Sequence, residues 1–199
     1  MRSQPLKTGL ALILAQLLTL LAGTAWAGEL RTGDIVLLGN ASAWGFVARR
    51  FADGDDRWSH AGMVLREGQQ VAVVHMDGSP VGGHIRLEAV AAFTAHARHV
   101  RVVRPGLSAR QRSRVGDWLR GHVDRGTAFD TRFRLDDAGA MYCSELVWRA
   151  LDEVSMTPGA DSLPRLAGRV YVPVDRLLTL GVVVDQRRVR ERMVATAPP

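Results

Sequence analysis

A single cysteine in 199 residues decides how this chain must be held together. It rules out an internal disulfide and a Cys-x-x-Cys zinc cluster, so stability has to come from burying apolar surface. Apolar residues make up 47% of the chain, which suits one packed core and excludes an intrinsically disordered chain. The only lysine is Lys7, which removes a Gly-x-x-x-x-Gly-Lys phosphate loop and Schiff-base chemistry from everything after it.

The first 27 residues read as a secretory signal. Arg2 and Lys7 form a basic start, residues 9–22 are an apolar run, and Ala25-Trp26-Ala27 is a small-x-small cleavage site, so the expected cut follows Ala27. The mature chain is therefore expected in the periplasm or outside the cell. An uncleaved anchor is the alternative, and no Cys follows the apolar run to take a lipid. Removing this segment takes away two basic residues and no acid, so the net charge falls from +6 to +4. That residue of charge is small and scattered, which argues against a nucleic-acid partner and leaves weak contact with an anionic membrane or cell wall open.

Residues 28–185 read as one α+β domain and 186–199 as a solvated basic tail. Strands are expected at 33–38, 59–66, 70–76, 99–104, 169–172 and 181–185, and helices at 42–52, 108–126 and 142–154. Asp77-Gly78-Ser79-Pro80 and Gly82-Gly83 read as a loop, and 39–58 with 77–98 as the loops that wall a pocket. Ser108 and Gln111 form a capping-box pattern at the start of the first long helix.

Cys143 opens the second long helix, where unpaired N–H groups and the positive end of the helix dipole favour thiolate, so its pKa is expected to fall. A nucleophilic thiol needs a base. His60 and His75 lie in the two arms of the hairpin expected around Glu67-Gly68-Gln69. A turn at 67–69 would set His60 opposite Met76, beside His75, and a bulge or one-residue slip decides whether the imidazoles meet. If they do, one takes the thiol proton and the other orients it. His84, His96, His99 and His122 read as structural; Tyr142 as a packing ring, Asp136 and Asp137 as braces of the turn, and Glu145 as a complement to the helix dipole.

Gly33-Asp34-Ile35-Val36, Ser59-His60-Ala61-Gly62-Met63-Val64, Phe129-Asp130 with Phe133, and Tyr142-Cys143-Ser144-Glu145-Leu146-Val147 together resemble the permuted papain-like cysteine amidases. These are the YiiX-like branch of the NlpC-type superfamily, in which the His-bearing strands precede the Cys-bearing helix. The resemblance runs from about residue 30 to 177. It implies a small antiparallel sheet or barrel packed against the Cys helix, with Cys143 as nucleophile, His60 as base and His75 in the third, orienting position. Relatives often carry Glu there, and the lecithin retinol acyltransferase group carries His. It also implies attack of the thiolate on an amide or ester carbonyl, an oxyanion held by the Cys143 amide and a second donor, and hydrolysis of an acyl-enzyme.

The leading expectation is thus an exported hydrolase of amide bonds in peptides, peptidoglycan stems or N-acyl lipids, with no cofactor. A lipid acyl-ester hydrolase or acyltransferase, and an inactive ligand-binding module on the same fold, are the alternatives. A metal site from His60, His75 and Cys143 lacks any local ligand spacing to support it.

Overall fold

The computed structural model describes residues 30–40, 49–79, 81–137, 139–166 and 168–188. The expected signal segment, the part of the 42–52 helix before residue 49, and residues 189–199 of the expected tail lie outside them. The unit Arg31–Pro199 carries every element that follows.

The elements described in full are ten strands and three α-helices, with residues 49–50 also helical: β1 (Ile35–Gly39), β2 (His60–Glu67), β3 (Gln70–Ser79), β4 (Gly82–Ala89), α1 (Val90–Thr94), β5 (His99–Arg104) and α2 (Ala109–Asp124) come first. β6 (Ala128–Phe129), β7 (Ala140–Met141), α3 (Cys143–Asp152), β8 (Arg165–Leu166), β9 (Arg169–Val170) and β10 (Val182–Arg188) complete the order, with 3₁₀ turns at Ala160–Ser162 and Asp175–Leu180. Eight strands form one sheet in the order β10-β5-β1-β2-β3-β4-β6-β7, and β8 pairs with β9. Within the large sheet the neighbours run antiparallel except β6 and β7.

β1 sits inside the sheet, which is why Ile35-Val36-Leu37-Leu38 is apolar without interruption: both of its faces are buried. One face carries Ile35, Leu37, Ala61, Met63, Leu65, Val74 and Met76 into a core shared with Val115 and Leu119 of α2 and with Leu146, Val147, Ala150 and Leu151 of α3. The alternate set, including Val36, Val64, Val73 and Val102, is buried as well. α2 begins as its sequence requires, with Gln111 N–H donating to Ser108 Oγ at 3.3 Å and Ser108 N–H donating to Gln111 Oε1 at 3.0 Å.

Three expectations change. The hairpin loop is two residues long, Gly68-Gln69, because Glu67 pairs with Gln70. The register moves by one, so His75 faces Gly62. Residues 77–83 are not an open loop: β3 and β4 pair through to Ser79 and Gly82, with Gly78 directly opposite Gly83. Glycines there reflect close approach, since a Cβ on Gly78 would collide with the Phe129 ring and one on Gly83 with the Asp77 carbonyl. Finally, β10 continues through Arg188, three residues into the segment expected to be tail. Gln186, Arg187 and Arg188 pair with Arg101, Val100 and His99, and Arg101 donates to Gln186 Oε1.

The Gly33-Asp34 pair, a weak signal alone, has a structural basis. Asp34 is fully buried and is gripped by Arg104 through Nε at 2.8 Å and Nη2 at 2.6 Å, while it accepts Arg31 N–H at 2.8 Å. This ties the entry of β1 to the end of β5. Arg104→Ala strands that carboxylate in the interior and should cost about 3 kcal/mol in urea denaturation; a loss below about 0.5 kcal/mol would show that the pair does not hold the two strands.

Candidate active site

Cys143 is the first residue of α3, and the residues around it secure the helix start. Tyr142 is extended, and its N–H donates to Glu145 Oε2 at 3.3 Å; Glu145 Oε1 in turn takes Arg149 Nε at 2.7 Å. Glu145 thus fulfils the role at the helix start that its position suggested, although burial pushes its carboxyl up to about 7 against the pull of Arg149.

The thiol does not behave as its position alone implies. Cys143 is only 8% exposed, and burial pushes its pKa up, although the amides of Ala61, Ser144 and Cys143 favour the thiolate. The helix terminus therefore softens the cost of ionising the sulfur without overcoming it. One of the opposing amides belongs to Ala61, the residue after His60, so β2 reaches the sulfur at the end where its histidine stands.

The structure brings His60 and His75 together. His60 Nε2 and His75 Nδ1 are 3.1 Å apart, with the rings nearly perpendicular. Gly62, opposite His75, makes room: a Cβ there would lie 2.5 Å from Val73 Cγ1 and 3.0 Å from His75 Cβ. Phe93 of α1 covers both rings, at centroid distances of 5.5 and 4.8 Å. Burial, then the neighbouring His75, lowers the His60 pKa to about 3, while Asp77 pulls weakly the other way. His60 is therefore neutral at neutral pH, as a base must be. Among the described residues, no hydrogen bond joins Cys143 to either imidazole, and His60 Nδ1 carries none. Catalytic contacts commonly tighten only when substrate is bound.

Cys143 and its neighbours Tyr142 and Ser144 line a cavity of about 390 Å³. Its other walls come from distant parts of the chain: Phe51, the 132–133 loop and residues 169–174. His60 and His75 are not among its lining residues. The lining is mostly apolar and aromatic, with the guanidinium-bearing Arg132 and Arg169 beside it. Phe51 stacks edge-on against Tyr171 at 5.8 Å, and Phe133 lies 5.3 Å from Tyr142. Asp130 shapes the Phe133 loop by accepting the N–H groups of Arg132 and Arg134, at 2.7 and 2.5 Å, and Phe133 itself takes the left-handed φ of 52°.

Both neighbours of the cysteine grip the far wall. Val172 N–H donates to Tyr142 Oη at 2.8 Å, and Ser144 Oγ donates to Val172 O at 2.7 Å. Tyr142 is thus more than packing. A second pin joins the other side: Asp175 accepts the amides of Asp53, at 3.1 Å, and Asp55, at 2.9 Å, fixing the segment that follows Phe51. Asp137 braces the turn before α3 by accepting Gly139 N–H at 2.9 Å. Phe133 belongs to the motif singled out in the sequence and Phe51 to the 39–58 segment expected to wall a pocket, whereas Tyr171 and Val172 gave no such signal, because they gain meaning only when segments some 120 positions apart come together. No group of three His, Cys, Asp or Glu side chains suited to a metal gathers among the described residues.

A thiol at a helix start, on a cavity wall, over a sheet whose imidazole-bearing strands come earlier in the chain, defines a cysteine hydrolase of permuted papain-like architecture. Residues 29–167 match the model of a family described as permuted papain-like amidase enzyme, YaeF/YiiX, C92 family, and the chain belongs to that family. It is an enzyme of the cysteine amidase type. Its fold is similar to that of a crystal structure titled metalloprotein yiiX from Escherichia coli O157:H7, with a TM-score of 0.53 and 24% identity over 64% of this chain and 67% of that one. No protein of curated function matches the chain.

Two outcomes test this geometry. Tyr142→Phe and Ser144→Ala each leave a buried Val172 backbone group without its partner and should each lower stability by about 1–3 kcal/mol in urea denaturation; no loss in either would mean that the wall is held by other contacts. Because the folded state holds the His60 pKa below its ordinary 6.5, it binds fewer protons than the unfolded chain between those values. This contribution to stability is present above pH 6.5 and fades as pH falls toward 3. The melting temperature of His60→Gln should therefore fall less than that of the parent on acidification, and parallel falls would contradict the burial cost.

Proposed function

We propose that this chain is an exported thiol amidase in which Cys143 is the nucleophile, His60 the base and His75 the residue that orients it. The observation that carries the reading is the sulfur on the cavity wall with the Ala61 amide facing it, one residue from an imidazole pair already hydrogen-bonded. With the thiol pKa raised and that of His60 lowered, the resting pair is neutral. Attack then passes the thiol proton to His60 as the S–C bond forms, and the Cys143 amide holds the oxyanion. His60 returns the proton to the leaving amine as the C–N bond breaks. Water, deprotonated by His60, then cleaves the thioester and restores the thiol.

The substrate is an amide of the cell envelope: a peptide, a peptidoglycan stem or an N-acyl lipid. The aromatic, apolar lining beside Cys143 favours a substrate with an apolar acyl portion, and Arg132 and Arg169 favour one bearing an anion. The same lining supports a second reading, hydrolysis or transfer of a lipid acyl ester. Export rests on the basic start, apolar run and Ala25-Trp26-Ala27 end of residues 1–27.

Hydrolysis of muropeptides, N-acyl amino acids and phospholipids by the parent and by Cys143→Ala tests this reading. Turnover of an amide substrate that falls by about 10³-fold or more in Cys143→Ala is the expected result. Turnover of phospholipid alone selects the ester reading. No turnover of any of the three would leave a ligand-binding module.

A further inference from the structure

We propose that Glu88 is a positioning residue of this site: its carboxylate fixes the proton of His75 on Nε2, and through His75 that of His60 on Nε2, leaving His60 Nδ1 as the lone pair that takes the thiol proton. The inference rests on the reading of Cys143 and His60 above and adds to it a residue on a third strand.

The sheet register makes the arrangement. His75 pairs with Gly62 on one side and with Arg86 on the other. His60 stands two positions from Gly62, and Glu88 two positions from Arg86 at the opposite end, so His60, His75 and Glu88 form one diagonal row across β2, β3 and β4. His75 is 5% exposed. Its Nδ1 faces His60 Nε2, while its buried Nε2 has no hydrogen-bond partner and lies 3.4 Å from Glu88 Oε2. An unpartnered buried nitrogen aimed at a carboxylate is completed by a small turn of either side chain.

The proton inventory then has one consistent solution. A carboxylate only accepts, so His75 must present Nε2–H to it and keep its lone pair on Nδ1. That lone pair accepts Nε2–H of His60, and the His60 lone pair is left on Nδ1. When His60 takes the thiol proton, no other proton has to move and no electrons change hands. The resulting imidazolium is faced, through His75, by a fixed negative charge that His75 alone does not supply. The titratable and charged groups around His75 are the neutral His60 from β2, Asp77 on its own strand, and Arg86 and Glu88 from β4; α1 contributes only the Phe93 ring. Arg86 opposes Glu88, with its Nε 3.7 Å from Glu88 Oε1, and it also pairs with Asp77 at 2.8 Å.

The test is the pH dependence of Cys143 alkylation by iodoacetamide. Glu88→Gln should slow alkylation about tenfold at neutral pH and, because the imidazole pair becomes a weaker base, move the acid limb of the profile to lower pH, and Glu88→Asp should restore most of the rate. Arg86→Gln, on a side chain 48% exposed, should move that limb the opposite way, to higher pH. A Glu88→Gln profile that superimposes on the parent while His60→Ala is slowed overturns the role of Glu88 and leaves the thiol–imidazole reading intact. Failure of Glu88→Asp to restore the rate, with no shift in Arg86→Gln, would reduce Glu88 to a structural residue. Unslowed alkylation in His60→Ala would sink the underlying reading instead.

Discussion

The loop joining β2 to β3 holds two residues, and the parity this imposes governs the site. Side chains alternate along a strand, so a loop one residue longer or shorter would turn His75 to the opposite face from His60. With Glu67 paired to Gln70, both imidazoles fall on one face, and Gly62 leaves the space in which they meet. The other face of β2 presents Ala61, Met63 and Leu65 to the core that α3 completes, which sets Cys143 against the same strand. One hairpin thus holds the imidazoles directly and seats the helix that bears the sulfur.

Burial then decides how the thiol can react. Desolvation disfavours every charge in the region: it raises the Cys143 pKa and lowers that of His60. The resting state is therefore a neutral thiol and a neutral imidazole, and in the proposed reaction charge separation develops only as the proton moves. Amides of Ala61, Ser144 and Cys143 on the sulfur side offset part of that cost. The rigidity of the surroundings matters for the same reason, since dipoles that stay in place need no reorganisation when charge appears. The paired grip of Tyr142 and Ser144 on Val172 supplies it, joining the neighbours of Cys143 to the far wall of the cavity.

Much of this was legible in the sequence, and the pattern of what was not is physical. Local periodicity placed β5, α2 with its Ser108 cap, and the start of α3 within a residue or two, because the helix starts are fixed by contacts a few positions apart and β5 is a short apolar run that ends at Pro105. The His60–His75 meeting was legible as an alternative, and its register was off by one because a turn of two or three residues reads alike until the strands are paired. The glycines at 78 and 83 read as loop signals although they serve close packing within a hairpin. The thiol pKa was read in the wrong direction, since helix position is visible in sequence and depth of burial is not. Tyr171 and the Asp175 clamp carried no local signal at all.

The central claim is that Cys143 becomes a nucleophile by passing its proton to His60. The solvent isotope effect on Cys143 alkylation at neutral pH measures whether that proton moves as the sulfur attacks. The account predicts a normal effect, with alkylation about twofold slower in heavy water in the parent. Equal or faster alkylation in heavy water, the mark of a thiolate already formed, would contradict it.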